Sequence, residues 1–405
     1  MTDIRRRIAA FALGVLTLPA FAHDGHAGKG AAQSRPPRPE LASSAAFDAQ
    51  GRLWVAYKLN EAGRQFVAVQ SSDDLGNTWS AAQRAQQEPE PVSADGENRP
   101  KIAFGPGGDM YLSYTKPLSK PYTGDIRFVR SQDGGRSFTA PVTVHANRDL
   151  ITHRFDSLIV DREGRVYVTW IDKRDLHAAE GRKQAYRGAA VYYAVSTDRG
   201  ASFNGDFKIA DHSCECCRIA LALDEQGRVA AMWRHVFAPN ARDHAWAVLG
   251  PEGRTGEVQR ASFDDWRVDA CPHHGPGLAF GRDGTRHQVW FNVKDGEGGV
   301  FYASVDRNGV LGAPTRLGSG QVAHADVAVL ERRVVLAWRQ FDGKASSVVA
   351  RVSHDEGRTW QETEVARTAG ASDQPRLVAG AGRIVLVWRT EREGFVVRTL
   401  AGDGT

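Results

Sequence analysis

Seven times along this chain a short apolar strand closes on an aromatic residue. The closing aromatics are Tyr57, Tyr114, Trp170, Trp233, Trp290, Trp338 and Trp388, spaced by 57, 56, 63, 57, 48 and 50 residues. Each of these strands follows a shorter apolar strand and a turn, which carries glycine in every unit but the sixth, and a third strand with alternating apolar residues comes after it. A repeat of about 55 residues with three or four strands is one blade of a β-propeller. The spacing therefore predicts an all-β chain with a single seven-bladed propeller over residues 41–405. A six-bladed ring with an extra sheet is the alternative. The length of 405 residues alone would suggest two or three domains, but a sustained internal period overrides that prior. The last unit stops just after its third strand, so a strand near residues 28–38 is expected to complete that blade and close the ring.

The turns after the third strands carry a second pattern. They read Ser72-x-Asp74-x-Gly76-x-Thr78-Trp79, Ser131-x-Asp133-x-Gly135-x-Ser137-Phe138, Ser196-x-Asp198-x-Gly200-x-Ser202-Phe203 and Ser353-x-Asp355-x-Gly357-x-Thr359-Trp360. An Asp carboxylate there can accept turn N–H groups, the Gly supplies a positive φ, and the aromatic anchors the hairpin. On these motifs the chain resembles the Asp-box (BNR-repeat) proteins of the sialidase-like β-propeller superfamily, across essentially all of its length after the first residues. The resemblance implies that Asp74, Asp133, Asp198 and Asp355 are structural and lie away from the ligand face. They identify an architecture and no activity.

Residues 1–22 read as a secretory signal. Arg5, Arg6 and Arg7 precede an apolar stretch from Ile8 to Pro19, and Ala20-Phe21-Ala22 offers a small-x-small cleavage site. The apolar stretch is too short to span a membrane. Residues 23–40 form an extended lead-in with the ring-closing strand as its possible role. Export to the periplasm or beyond follows, and with it a compartment that permits disulfides. The formal charge of +4 is balanced between 52 basic and 48 acidic residues, which gives no general case for nucleic-acid binding. A monomer without membrane insertion is the expectation.

Propeller topology gathers the loops into the first strands and those after the second strands on one axial face. Those loops carry Arg99, Arg154, Arg174, Arg234, Arg339, Arg376 and Arg389. A ring of arginines around a concave axis suits an anionic or glycan ligand, through carboxylate, sulfate or phosphate oxygens; strand-end cations that merely face solvent are the competing reading. The resemblance to sialidases implies an arginine clamp, with Arg154, Arg234 and Arg376 available for it and Asp156 or Asp172 as acid. The departures are the missing F-R-I-P motif, for which Asn98-Arg99-Pro100-Lys101-Ile102 stands nearest, the lack of an evident Tyr–Glu nucleophile pair, and seven blades where sialidases usually have six. Exo-sialidase-like glycoside hydrolysis stays as an alternative function.

All four cysteines open two neighbouring units. His212-Ser213-Cys214-Glu215-Cys216-Cys217 leads into blade 4, and Cys271-Pro272-His273-His274-Gly275-Pro276 leads into blade 5. In an exported chain four cysteines make two disulfides with three possible pairings. The same set of Cys214, Cys216, Cys217, Cys271, His212, His273 and His274 also offers thiolate and imidazole ligands suited to copper or zinc. That opens a third reading, a periplasmic metal-handling protein. Cleavage after Ala22 would expose His23 as an amino-terminal copper(II) chelator. The pairing of C-x-C-C with C-P-x-x-G-P resembles a feature of secreted Asp-box proteins and brings no activity with it.

Overall fold

The structure, a computed structural model, describes residues 39–270, 272–294 and 296–402. The expected signal, His23, the strand near 28–38 and Cys271 lie outside the described residues. Seven antiparallel sheets follow one another along the chain. In each, spatial order follows chain order, so the first strand is innermost. Six sheets have four strands, and the last has three among the described residues.

The innermost strands are Ser43–Phe47, Lys101–Phe104, His153–Val160, Ala220–Leu223, Gly277–Phe280, Gln321–Leu330 and Arg376–Gly380. Consecutive ones are neighbours, and Arg376–Gly380 packs against Ser43–Phe47. Ring closure is thus visible in the inner strands. The chain is a seven-bladed β-propeller, as the spacing predicts.

The second strands explain why the ring is stable. Tyr114, Trp170, Trp338 and Trp388, four of the seven closing aromatics, have no exposed surface. Each such burial contributes about 2 kcal/mol. The apolar clusters lie between blades: Trp54, Ala56 and Val67 of blade 1 pack on Ile102, Leu112 and Tyr114 of blade 2. Leu53 and Val55 of blade 1 meet Val385 and Val387 of blade 7. Neighbouring blades are held together by shape and burial.

The Ser-x-Asp-x-Gly turns are closed hydrogen-bond circuits. Ser72 Oγ donates to Asp74 Oδ1 at 2.8 Å and accepts the Gly76 N–H at 2.7 Å. Asp74 Oδ1 then accepts the Thr78 N–H at 2.8 Å, and Oδ2 accepts the Thr78 hydroxyl at 2.7 Å. The circuits at Asp133, Asp198 and Asp355 repeat this set. Gly76 has φ +87°, and a Cβ there would sit 2.5 Å from Val397 Cγ2 of blade 7. The turn needs glycine both for its backbone and for its contact. A related device at the first hairpins escapes the motif reading: Asp48, Asp161 and Asp224 each accept N–H groups two and four residues on and pair with the arginine at the latter position. One element departs from the all-β pattern, the helix Arg174–Gly181 after the second strand of blade 3.

Candidate functional site

The loops into the innermost strands meet at the axis and place a network of charges there. Arg218, just before the innermost strand of blade 4, reaches across the hub. Its Nη1 lies 3.3 Å from Glu97 Oε1, Nη2 donates to Ala325 O at 2.8 Å, and Nε donates to Pro276 O at 3.1 Å. One side chain therefore joins blades 2, 4, 5 and 6. Gly275 makes the crossing possible, because a Cβ on it would lie 2.2 Å from Arg218 Cγ. Arg99 does the same work between blades 2, 7 and 1. It pairs with Asp373 at 2.9 Å and donates to Gln374 Oε1 at 2.8 Å and Ser43 O at 2.7 Å. Asp373 in turn accepts the Ser43 N–H at 2.9 Å.

Electrostatics divide this hub into committed and open groups. Burial alone would raise the Glu97 carboxyl, but Arg218, His324 and Arg99 outweigh it and hold it well below the usual carboxylate range. Asp373 goes the other way: burial raises it, against Arg99. Burial pushes Lys101 down to about 8, Asp156 opposes this, and the nearby Arg99 and Arg376 add to it. Arg376 is pushed down to about 10, first by burial and then, against Asp326, by Arg218 and Arg99. Yet Lys101 is partly exposed, and the Arg376 side chain keeps 29% of its surface accessible. Both side chains sit among the charges of the hub and still keep accessible surface. Lys101 Nζ makes one hydrogen bond among the described residues, to Arg99 O at 2.9 Å. Arg376 makes none there and only faces Asp326 at 3.4 Å. Donors on both side chains remain available.

The other expected residues fall into distinct surroundings. Arg154 is 3.6 Å from Asp95 and lies over the rings of Phe155 and Tyr122. Arg234 is buried, and its guanidinium donates to the carbonyls of Arg242, His274 and Phe291. Arg174 is held by Asp172 and Asp206, each at 2.7 Å. Arg389 lies over Tyr57 and Phe395, with its Nη1 buried and without a partner among the described residues. Arg339 is partly exposed and lies in electrostatic reach of His274 and His324. Of the two carboxylates considered as acids, Asp156 accepts from Ser113 Oγ at 2.6 Å. Asp172 accepts from Trp170 Nε1 at 2.9 Å and faces His153 at 3.7 Å besides holding Arg174. Glu97, Lys101 and Arg218 were not singled out by the sequence; their neighbours at Arg99 and Cys217 were.

Aromatic surface adds a second character to this face. The exposed aromatics among the described residues are Tyr122, Phe263 and Phe341, with Tyr122 at 73%. Tyr122 sits in a loop after a second strand, Phe263 in a loop before a first strand, and Phe341 ends the second strand Arg333–Phe341, all on the axial side. The face of the Ser-x-Asp-x-Gly turns carries none of them.

The cysteine segment lies beside the hub. Cys214, Cys216 and Cys217 are buried among Phe155, Ile171, Ile219 and Trp233. Their sulfurs all lie within 4.8 Å of one another. Cys214 Sγ is 3.4 Å from Cys217 Sγ and 3.7 Å from Cys216 Sγ. None of these is a bonding distance, for which about 2.05 Å is needed. Burial pushes the Cys217 thiol well up. The structure does not bring the expected imidazoles to this cluster: His212 faces Tyr186, with ring centroids 4.7 Å apart, and His274 stacks on Phe291 and His324 at 3.9 and 4.4 Å. His273 lies 6.5 Å from the Phe155 ring. A second group, Asp125, His145 and His153, also has close ligand atoms. There the His145 nitrogens are taken by Asn147 O at 2.6 Å and the Ile126 N–H at 3.1 Å.

No protein-family model matches the sequence, and no curated protein matches it. Solved structures do. The PL25 ulvan lyase, a polysaccharide lyase solved bound to -[GlcA(1-4)Rha3S]-, superposes with a TM-score of 0.54 and 12% identity, over 91% of this chain and 94% of its own. The polysaccharide lyase Uly1 gives 0.51 and 9%, over 85% and 86%. The NanB sialidase from Streptococcus pneumoniae gives 0.48 and 10%, over 82% and 70%. At these identities the likeness to the two lyases is one of fold.

Proposed function

We propose that this protein is an exported propeller that holds an acidic carbohydrate on its axial face. The observation that carries this reading is the pair of partly exposed cations at the hub, Lys101 and Arg376, which lie in electrostatic reach of each other and keep donors that no described residue accepts. Carboxylate or sulfate oxygens are the natural acceptors for such paired cations in a site partly closed to water. Tyr122 beside Arg154 gives a sugar ring a flat apolar surface at the rim. The lyase with a similar fold is solved with an acidic repeat, -[GlcA(1-4)Rha3S]-, which supports this ligand class. Export rests on the basic start, apolar stretch and Ala20-Phe21-Ala22 of the first 22 residues.

Affinity electrophoresis through gels containing uronate-bearing, sulfated or neutral polysaccharides tests the reading. Retardation is expected in at least one acidic gel and in none of the neutral ones. The double variant Lys101→Met with Arg376→Met is expected to lose binding about 100-fold, as two charge-assisted contacts of about 1.5 kcal/mol each would give. Equal retardation by neutral polysaccharides, or full retention of binding in the double variant, overturns it.

A further inference from the structure

We propose that Cys214, Cys216 and Cys217 form a binding site for one thiophilic d10 cation, copper(I) or zinc(II). The three sulfurs converge from one short segment, which by itself sets their spacing. Tetrahedral or trigonal thiolate ligands with bonds of about 2.3 Å stand about 3.8–4.0 Å apart. The observed separations of 3.4 and 3.7 Å around Cys214, with all three sulfurs inside 4.8 Å, need only small adjustments to reach that. A disulfide between Cys214 and Cys217 would instead require the sulfurs to close by more than an ångström.

The surroundings suit a bound metal. All three side chains are buried in an apolar cluster, so the site excludes water, and its soft thiolate ligands favour thiophilic cations over hydrated hard ones. Binding releases the thiol protons to solvent and leaves net negative charge on the thiolates. Arg242 answers that charge, with Nη1 3.9 Å from Cys214 Sγ. His244, fully buried and in electrostatic reach of Cys214, has an Nε2 without a partner among the described residues. An imidazole so placed is available to donate a hydrogen bond to a sulfur or to turn its lone pair toward the metal.

The site also has a place in the fold. Cys217 immediately precedes Arg218, the side chain that crosses the hub. A metal on the three sulfurs would fix the segment from which Arg218 departs. This inference is independent of the carbohydrate reading, because it concerns different residues and a different ligand.

The test uses reduced full-length protein, purified without oxygen, stripped of metal, and titrated separately with copper(I) and zinc(II) against a chromophoric chelator. One equivalent of at least one metal is expected to bind, with a sulfur shell at about 2.3 Å by X-ray absorption. Cys217→Ser is expected to weaken binding at least about 100-fold, more than the loss usual for a residue that only supports a ligand. Cys214→Ser provides the same test if the first variant does not fold, and the sulfur shell of the unaltered protein needs no variant. Copper alone or zinc alone as the bound ion assigns the metal. No stoichiometric binding of either ion, a shell of nitrogen and oxygen only, or recovery of a peptide with two of these cysteines joined as a disulfide overturns the proposal.

Discussion

The two ends of the propeller are built on opposite plans. At one end, the Ser-x-Asp-x-Gly turns repeat a single circuit on four blades, and every polar atom in the circuit finds its partner within six residues. At the axial end no contact is repeated from blade to blade, and the partners are far apart in sequence: Arg218 meets Glu97 across 121 residues and Arg99 meets Asp373 across 274. The first plan is local and self-sufficient, so it stabilises each hairpin without reference to the others. The second exists only once the ring has closed. Repetition makes the scaffold, and the departures from repetition gather where a ligand is to be held.

That contrast can be broken by substitution. The largest effect is expected at the hub. Arg218→Met leaves Glu97 buried without its main cation, and loss of one partner of a buried pair costs about 3–5 kcal/mol. Urea unfolding should show it, and the double variant with Glu97→Gln should recover part of the loss. An Arg218→Met protein as stable as the parent would mean that the hub holds nothing together. Gly275→Ala is next. Its Cβ would meet Arg218 Cγ at 2.2 Å, and relieving such a clash costs about 1–3 kcal/mol. The same unfolding experiment should find it weaker than Arg218→Met and accompanied by weaker carbohydrate binding.

A local turn should be affected less. Ser196→Ala removes the hydroxyl that donates to Asp198 at 2.7 Å and accepts the Gly200 N–H at 2.8 Å. About 1–2 kcal/mol is expected from the loss of these two hydrogen bonds, with carbohydrate binding unchanged. If Ser196→Ala also weakened binding, the two ends would not be independent.

The smallest and most specific effect is one of pH. Lys101 has its pKa in the folded protein at about 8, below an ordinary lysine's 10.5. Across that window the unfolded chain carries the extra proton, so this site's contribution to stability rises with pH there. Ligand affinity moves the other way. An acidic sugar needs the charged amine, and affinity should fall by up to about tenfold per pH unit above 8. In Lys101→Met that part of the pH profile should be flat. A profile unchanged by the substitution would remove Lys101 from the site.

Much of this was legible in the sequence, and the reason is the same contrast. Periodic aromatics at Tyr57 through Trp388 fix the blade count because each blade must bury one at the same depth. The Ser-x-Asp-x-Gly turns are legible because all their partners are local. The convergence of Arg99, Cys214 and Asp373 on one face follows from ring topology alone. Side-chain direction does not. Arg234 ends a strand like a rim cation, yet it turns inward onto three carbonyls. Arg174 opens a short helix and is claimed by Asp172 and Asp206. Lys101 and Glu97 carry no local signal, since what distinguishes them is burial against blades that are distant in the chain. The thiols were visible as a group, but the histidines beside them in sequence were not separable from them until the backbone was known.

The carbohydrate reading is tested most directly by a crystal structure of the protein with a bound acidic oligosaccharide. The expected result is a carboxylate or sulfate group at the hub, with its oxygens within hydrogen-bond distance, about 3 Å, of Lys101 Nζ and the Arg376 guanidinium. A sugar bound at the Ser-x-Asp-x-Gly end, or on the outer edge of a blade with Lys101 and Arg376 untouched, would contradict it.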